Sequence, residues 1–365
     1  MTVTAPALEF STTLSSNPVP AARRDEILEA PGFGTAFTDH MVTATWGPDT
    51  GWHDAGLRPY APLSLDPATA VLHYAQAIFE GLKAYRHADG SVWSFRPEAN
   101  AARFASGAER LALPEVPVAS FVEAVDLLVR TDAAWVPSGA EASLYLRPFM
   151  FASEAFLGVR PAKEVTFCVI ASPAGAYFSS GLKPVSIWLS SEYTRAAPGG
   201  TGAVKCAGNY AASLIAQQEA IAHGCDQVCF LDAVERRWVE ELGGMNLYFA
   251  RADGSIVTPE LTGTILEGIT RDSIITLAGD LGYKVEERRV SIDEWRQDVA
   301  SGEITEVFAC GTAAVVTPLG RLAWDDGELS MGDEPGPVTQ QIRQALLDVQ
   351  CGRAEDTHGW MHRIA

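Results

Sequence analysis

The sequence predicts a protein of two domains, each of which mixes helices and strands. Its 365 residues exceed the usual size of one domain, and a Pro- and Gly-rich stretch, SPAGAYFSSGLKP, separates strand-like segments on either side. After this stretch, strand-like and helix-like segments alternate along the chain. We therefore expect a smaller N-terminal α/β domain over 1–175, an interdomain loop over 176–188 and a larger C-terminal α/β domain over 189–365.

Apolar periodicity and turn residues predict the elements of the N-terminal domain. A proline at position 97 is typical of the first turn of a helix, and alternating apolar residues are typical of strands. In chain order we expect strands and turns over 68–86 and 90–95, helices over 97–113 and 120–135, and strands over 142–151 and 164–171.

The C-terminal domain is predicted in the same way. The expected strands are 185–190, 226–232, 246–250, 284–290 and 306–310, and the expected helices are 210–223, 270–281, 292–301 and 337–351. Ser291 and Glu294 have the spacing of a capping box, which marks the start of the helix over 292–301.

The composition excludes several classes of protein. Lys and Arg number 27 against 46 Asp and Glu, a net charge of −19, which argues against binding to nucleic acid or to an anionic membrane surface. No apolar run approaches the roughly 20 residues of a membrane span, and the N-terminus lacks a signal-peptide pattern, so we expect a cytoplasmic protein. Six cysteines without a CxxC pair predict neither a disulfide framework nor a metal site.

Lysine is rare in this chain, with five lysines against 22 arginines, so a chemically active lysine has few candidates. GxGxxG, GxxxxGK[ST] and GxSxG motifs are absent, which removes the usual signs of nucleotide binding and serine hydrolysis. Only Lys205 lies in a glycine-rich loop before a helix, GGTGAVKCAGNY. A lysine is usually a solvated surface charge, but an apolar setting disfavours the ammonium form and leaves a nucleophilic amine. That chemistry is what a covalent bond to an aldehyde cofactor requires.

Pyridoxal phosphate would also need a phosphate cup and an acidic partner for its pyridine nitrogen. Two turns could form the cup, Gly268-Ile269-Thr270 before a helix and Gly311-Thr312-Ala313 after a strand, although each is also ordinary turn chemistry. In VEELGGMN, either Glu240 or Glu241 could be the acid, and a solvated turn is the alternative interpretation.

Taken together, these segments resemble the class IV, D-amino-acid-aminotransferase-like, pyridoxal phosphate enzymes, and most closely the bacterial and actinobacterial branched-chain amino acid aminotransferases. The resemblance covers nearly the whole chain and rests on blocks in the family's order: LHYAQAIFEGLKAYR, SFRPEANAARF, SLYLRPF, GGTGAVKCAGNY, EELGGMN, LEGITRDS and EVFACGTAAVVTP. It implies the two-domain α+β fold of that family, pyridoxal phosphate fold type IV.

The resemblance also implies a set of cofactor residues. Lys205 would hold pyridoxal 5'-phosphate covalently and act as the catalytic base, and Tyr210 would bind the phenolic oxygen of the cofactor. The phosphate group would be bound by Arg103, with a cup completed by Ile269, Thr270 and Thr312. Counting back from the GMN turn selects Glu241 over Glu240 as the partner of the pyridine nitrogen.

The implied reaction is a transamination between L-leucine, L-isoleucine or L-valine and 2-oxoglutarate, which gives branched-chain 2-oxo acids and L-glutamate. An aromatic box would receive the aliphatic side chain, formed by Tyr74, Phe79, Tyr145 and Tyr177. Arg147 would bind the second carboxylate of 2-oxoglutarate, and the backbone of Thr312 and Ala313 would bind the α-carboxylate. Family members are dimers whose subunits share residues across the sites, so a homodimer is expected.

Three other interpretations stay open at this point. D-amino-acid aminotransferase and aminodeoxychorismate lyase share the fold, and the YxRP segment together with FEGLKAY favours the branched-chain enzyme. A cofactor-binding protein without turnover would be expected to have lost Lys205 or Glu241, and both are present.

Overall fold

The structure, a computed structural model, describes residues 7–139, 141–175 and 182–365. These residues divide into two compact units. The first holds the described residues up to Gly175 together with Val204–Ala207 and Val349–Ala365, and the second holds 182–203 and Gly208–Asp348. Each unit combines one large sheet with helices, which confirms the predicted mixed α and β fold class.

The strands of the described residues are β1 (Ser11–Thr12), β2 (His40–Gly47), β3 (Gly51–Pro59), β4 (Ala77–Phe79), β5 (Leu82–Arg86), β6 (Val92–Phe95), β7 (Ser143–Ala152), β8 (Val165–Ala174), β9 (Val185–Ser190), β10 (Gln227–Leu231), β11 (Val239–Leu242), β12 (Asn246–Arg251), β13 (Ser255–Thr258), β14 (Lys284–Glu287), β15 (Ile304–Gly311), β16 (Val315–Trp324), β17 (Gly327–Ser330) and β18 (Met361–Arg363).

The helices are α1 (Ala21–Glu29), α2 (Val71–Tyr74), α3 (Pro97–Arg110), α4 (Val118–Thr131), α5 (Ala207–Ala222), α6 (Ile269–Asp280), α7 (Ile292–Ser301) and α8 (Pro337–Gln350), with a 3-10 turn over Ala133–Trp135. Within the described part of the chain, no helix has both the length and the apolarity that crossing a membrane requires.

The sheet of the first unit has the order β1-β3-β2-β8-β7-β5-β6-β18, and β4 also pairs with β7. Its centre is the long antiparallel pair β7 and β8, in register from Ser143 opposite Ala174 to Ala152 opposite Val165. Helix α3 packs against this unit through Phe104, whose ring lies 5.3 Å from Phe121 and 5.8 Å from Phe167. This packing fixes the helix that carries Arg103.

The sheet of the second unit has the order β11-β10-β9-β16-β15-β12-β13-β14, and β17 pairs with β16. Its core includes the fully buried Trp295, which meets the ring of Phe249 edge-on at 5.0 Å. Strands β12 and β15 are antiparallel, with Asn246 opposite Cys310. The loops after β11 and β15 therefore lie next to each other.

The observed boundaries agree with several sequence predictions and differ at two places. Helix α7 has the predicted bounds, and the Ser291 hydroxyl accepts a hydrogen bond from the Glu294 N–H, as the capping pattern indicates. The sequence assigns all of 189–365 to the C-terminal domain, but Met361–Arg363 pair with Phe95–Trp93 on β6 in the first unit. Of the predicted loop over 176–188, residues 176–181 lie outside the described residues, and β9 already begins at Val185.

Candidate active site

Lys205 lies in a short segment that is joined to the first unit by backbone contacts. Cys206 forms an antiparallel bridge with Ile78, and the N–H of Phe79 donates to the carbonyl of Lys205 at 3.0 Å. Both neighbours of Lys205, Val204 and Cys206, belong to the apolar core of this unit. The lysine side chain is half-buried, and its Nζ lies 4.8 Å from the centroid of the Phe79 ring. Lys205 is thus fixed beside an aromatic surface.

Arg147 approaches the Phe79 ring as well. It shares one face of β7 with Tyr145, because side chains alternate along a strand. The Arg147 Cζ lies 4.9 Å from the Phe79 centroid and 5.4 Å from the Tyr145 centroid, and its Nη2 donates to the Tyr145 hydroxyl at 3.3 Å. Its Nε is buried and has no hydrogen-bond partner among the described residues. The Arg147 guanidinium on this aromatic surface makes the region suited to an anionic ligand.

Gly81 makes room for the Tyr145 side chain. A Cβ atom at Gly81 would lie 2.0 Å from the Tyr145 hydroxyl and 2.9 Å from Cζ of its ring. No side chain can be placed there without moving the tyrosine. The glycine of the FEG sequence therefore determines where the Tyr145 hydroxyl lies.

Arg103 is held by a buried carboxylate that sequence reasoning missed. Its Nε and Nη2 donate to the two carboxylate oxygens of Glu80 at 2.7 and 2.8 Å, a bidentate pair. Glu80 is 1% exposed and Arg103 13% exposed. The Asn100 side chain and the Gly81 N–H also donate to Glu80. The carboxylate therefore sets the orientation of the guanidinium.

The other two aromatic residues predicted for the substrate box are placed differently. Tyr74 is 42% exposed on α2, and its hydroxyl donates to the Leu157 carbonyl at 2.6 Å. Its ring contacts His73 and Phe156. Tyr177 lies outside the described residues. Of the four predicted aromatic residues, the structure brings Phe79 and Tyr145 together, through their shared contact with Arg147.

In the second unit, Glu241 forms a buried ion pair that sequence reasoning also missed. Arg195 Nη1 lies 2.8 Å from Glu241 Oε1, and both side chains are 2% exposed. The Leu266 N–H donates to the same oxygen at 2.8 Å. Arg195 also donates to the carbonyls of Thr264 and Gly202. A positive charge at this distance favours the ionised form of the carboxyl group.

The side chain of Glu240, the neighbour of Glu241 on β11, points to the opposite face of the sheet. Its carboxyl group accepts a hydrogen bond from the Thr264 hydroxyl. Burial raises the pKa of Glu240, and the hydrogen bond from Thr264 and the charge of Arg195 oppose that shift only in part. The two acids that the sequence leaves open are therefore distinguished by their surroundings, since Glu241 has the arginine.

The Asn246 side chain contacts the segment that leads into the predicted phosphate turn before α6. Its amide donates to the Leu266 carbonyl at 3.0 Å, and a Cβ at Gly268 would lie 2.0 Å from its Oδ1. A side chain at Gly268 would therefore displace the Asn246 amide, and Gly268 is the N-cap of α6 without a side-chain capping hydrogen bond. The N–H groups of Ile269 and Thr270 lie in the first turn of this helix, where an anion is favoured.

The turn that contains Thr312 and Ala313 connects β15 to β16. It lies beside the loop after β11, because a Cβ at Gly311 would be 3.5 Å from the Gly244 carbonyl. Val315, which ends the turn, has φ of 61°, a strained value for a β-branched residue. Buried Arg343 donates to the carbonyl of Val316 at 3.1 Å and helps to hold this conformation.

Tyr210 and Cys310 complete this part of the site. Tyr210 lies in α5, and a Cβ at Gly244 would be 3.9 Å from its ring, an ordinary contact distance. Burial raises the pKa of the Cys310 thiol far above its ordinary value. The thiol next to the Gly311 turn therefore stays protonated and is not a competing nucleophile.

Comparison with known proteins identifies the family. The model of the amino-transferase class IV family matches residues 77–322. A Streptomyces coelicolor protein described as a probable branched-chain-amino-acid aminotransferase is 61% identical over 365 residues, 100% of each chain. The chain belongs to the class IV aminotransferase family.

Two further relatives narrow the resemblance within class IV. The branched-chain-amino-acid aminotransferase of Mycolicibacterium smegmatis is 57% identical over 98% of each chain. The crystal structure of the branched-chain amino acid aminotransferase from Thermobaculum terrenum, in its PLP-bound holo form, superposes with a TM-score of 0.72 at 26% identity, over 88% of this chain and 98% of the other.

As a class IV aminotransferase, the protein uses pyridoxal phosphate, and the described groups fit that cofactor. The fit rests on two observations: Glu241 is a buried carboxylate with a cationic partner, and the N-cap of α6 is Gly268, which makes no side-chain capping hydrogen bond. The carboxylate suits a protonated pyridine nitrogen, and the helix start suits a phosphate group.

Proposed function

We infer that this chain is a pyridoxal-phosphate-dependent branched-chain-amino-acid aminotransferase. It transfers the amino group of L-leucine, L-isoleucine or L-valine to 2-oxoglutarate and forms branched-chain 2-oxo acids and L-glutamate. This conclusion is supported by the sequence identity of 61%, over all 365 residues, to the Streptomyces coelicolor protein described as a probable branched-chain-amino-acid aminotransferase. The arrangement of Lys205, Phe79 and Arg147 in the first unit agrees with it.

The cofactor, when bound, supplies an electron sink for the charge left on Cα of the amino acid. Lys205 Nζ is proposed to hold the cofactor between reactions. During the reaction the same nitrogen, as a neutral amine, accepts the proton from Cα of the substrate and donates it to the cofactor. The backbone bond between Phe79 and Lys205 keeps the lysine in place for both roles.

The remaining cofactor contacts are assigned by charge. Arg103 and the first-turn N–H groups of Ile269 and Thr270, with the Thr312 hydroxyl, are proposed to bind the phosphate. Tyr210 donates to the phenolic oxygen in this proposal.

Glu241 is proposed to pair with the pyridine nitrogen. In this proposal the Arg195 guanidinium, 2.8 Å from Glu241, stabilises a negative charge on that carboxylate, and a carboxylate favours a protonated nitrogen.

A single pocket has to accept both an aliphatic side chain and the second carboxylate of 2-oxoglutarate. Arg147 suits this task because its guanidinium plane contacts the rings of Phe79 and Tyr145, while its edge can donate hydrogen bonds. An aliphatic side chain packs on the aromatic surfaces, and a carboxylate binds the guanidinium edge. We propose that Tyr74 and Tyr177 complete the box and that the backbone of Thr312 and Ala313 binds the α-carboxylate.

A homodimer is part of this proposal. Tyr74 lies among apolar side chains that face outward in the single chain: Leu72 is 60%, Leu157 74% and Val159 91% exposed. Grouped exposed apolar residues of this kind are typical of protein interfaces. Light scattering after gel filtration should give twice the mass of the chain, and a monomer would contradict the proposal. A cytoplasmic location is proposed as well.

The decisive experiment is a screen of amino donors against the cofactor-bound enzyme. Single half-reactions with L-leucine, L-isoleucine, L-valine, D-alanine and aromatic amino acids are followed by the change in cofactor absorbance. The three branched-chain donors should react fastest. Preference for D-alanine would instead support D-amino-acid aminotransferase, and formation of 4-aminobenzoate from aminodeoxychorismate would support the lyase.

Lys205→Ala tests the mechanism. The variant should lose the visible absorbance of the bound cofactor and all exchange between leucine and 2-oxoglutarate, because no other described group holds the cofactor covalently in this proposal. Lys163→Ala, a change of an exposed lysine, is the control and should react at the rate of the unchanged enzyme. Normal turnover in Lys205→Ala would refute the assignment.

A further inference from the structure

The second unit contains a cleft of about 350 Å³ that the proposed reaction does not use. Its floor is formed by buried residues, and its rim by exposed ones: Val239, Glu240, Thr264 and Ile265 are at most 4% exposed, and Val234 is 73% exposed. Pro198, Pro259 and the Trp238 ring add apolar wall. A cleft of this size and lining is typical of a small-molecule site.

Glu240 at the floor has an unsatisfied oxygen. The residue is 4% exposed, its Oε1 accepts from Thr264, and its Oε2 is buried without a hydrogen-bond partner among the described residues. A buried polar atom without a partner is costly and needs an explanation. Because Glu240 lines the cleft, a donor bound there would satisfy this oxygen.

The charge of the lining indicates what kind of donor fits. Four carboxyl groups line the cleft, those of Asp232, Glu235, Glu240 and Glu260, against the single guanidinium of Arg289. Arg289 is paired with Glu260 at 3.1 Å, so its charge is shared with that carboxylate and offsets the charge of Glu240 only in part. A cation with an N–H group would be attracted here, and the proline, valine and isoleucine walls favour an aliphatic body.

We propose that this cleft binds a small aliphatic ammonium compound, whose N–H donates to Glu240 Oε2 and whose carbon chain packs on the apolar walls. Side chains alternate along a strand, so Glu240 and Glu241 point to opposite faces of β11. The site is therefore separate from the proposed pyridine contact.

The cleft is nevertheless connected to Glu241 by one short segment. The Thr264 hydroxyl donates to Glu240, while the Leu266 N–H donates to Glu241 and the Thr264 carbonyl accepts from Arg195. A cation bound to Glu240 therefore acts through Thr264, whose carbonyl accepts from Arg195 and which lies two residues before Leu266. Occupation of the cleft is thus expected to alter the cofactor's absorbance slightly even though the ligand does not touch the cofactor.

The test uses the cofactor-bound enzyme and N,N-dimethylbutylammonium chloride, a tertiary amine that has one N–H donor and cannot condense with an aldehyde. Binding is measured by calorimetry at pH 8 in the absence and presence of saturating L-leucine. Hexan-1-ol, which has the same number of heavy atoms and no charge, is the neutral comparison. Glu240→Gln removes the charge with little change of shape, and Glu235→Gln removes a charge from the exposed rim.

We expect the ammonium to bind and Glu240→Gln to weaken binding by about 10- to 100-fold, as for loss of a charge-assisted hydrogen bond. Glu235→Gln should weaken it less than about threefold, because exposed charges are screened. Affinity should also fall as the pH is lowered towards 5, because protonation of Glu240 removes its charge. The charges of Arg195, Arg289 and Asp232, which also act on Glu240, do not change sign in this range.

Three results would overturn the proposal. Equal binding of hexan-1-ol would show that charge is not recognised, and unchanged affinity in Glu240→Gln would show that its oxygen is satisfied by water alone. Displacement of the amine by L-leucine would place it in the substrate pocket. Thermal unfolding and cofactor absorbance of both variants show whether they are folded, so a loss of binding can be assigned to the site.

Discussion

Replacing Arg195 by methionine tests whether the Glu241 carboxylate depends on its buried partner. Methionine keeps the apolar stem of the arginine but removes its charge and its donors. The change leaves a 2% exposed carboxylate without the cation 2.8 Å away, and it removes the donor to the Thr264 and Gly202 carbonyls. Breaking a buried pair from one side costs about 3–5 kcal/mol.

The lower end of that range applies here, because the Leu266 N–H still donates to Glu241. We expect a loss of about 3 kcal/mol in the free energy of unfolding of the cofactor-free protein. With an m-value of about 2–3 kcal/mol/M, the urea midpoint should fall by roughly 1 M. If Glu241 pairs with a protonated pyridine nitrogen as proposed, the cofactor-bound protein should lose less, because that nitrogen would restore part of the missing positive charge.

Urea unfolding followed by tryptophan fluorescence measures both forms. Arg236→Met is the matched control, since Arg236 Nη1 also donates to two backbone carbonyls, those of Ser191 and Glu192, but lies exposed. That control should change stability by less than about 1 kcal/mol. Adding Glu241→Gln to Arg195→Met should recover part of the loss. Equal shifts in the two arginine variants, or no recovery in the double variant, would refute the reasoning.

Two further predictions concern the first unit. Arg103→Ala should raise the dissociation constant of pyridoxal phosphate at least about 10-fold without changing the order of preferred donors. Arg110→Ala, a change on the same helix, is the control and should leave the dissociation constant unchanged. Ultrafiltration and absorbance measure cofactor retention, and equal retention in the two variants would show that Arg103 is misassigned. Gly81→Ala should displace the Tyr145 hydroxyl, because the new Cβ would lie 2.0 Å from that oxygen. The KM for leucine should therefore rise several-fold while cofactor retention stays normal. Steady-state kinetics measure KM, and an unchanged value would contradict the prediction.

The elements that could be predicted from the sequence are those with local causes. Helix α7 has a capping residue and an apolar stripe within its own ten residues, so its bounds need no distant information. Strand β18 has only three residues, and its place is set by pairing with β6, far away in the chain. A short segment carries too little periodicity to reveal such a partner.

The same distinction applies to the site. Lys205 could be selected because its glycine-rich loop is visible in the sequence, and Gly268 because it begins a helix. Glu80 and Arg195 could not be selected, since each is recognisable only through a buried partner distant in the sequence. The FEG segment is visible as a family block, but nothing local shows that its acid turns towards Arg103.

The partners of the three arginines indicate different tasks. Arg103 and Arg195 each contact a buried carboxylate, so their orientation is fixed before any ligand arrives. Among the described residues, Arg147 instead contacts two aromatic rings and a tyrosine hydroxyl and forms no ion pair. Because no acid in that part of the chain balances its charge, an incoming carboxylate gains more there than at a paired arginine. In the proposed reaction, this unbalanced cation on an aromatic surface would let a dicarboxylate compete with an aliphatic amino acid for one pocket, in a chain whose net charge is −19.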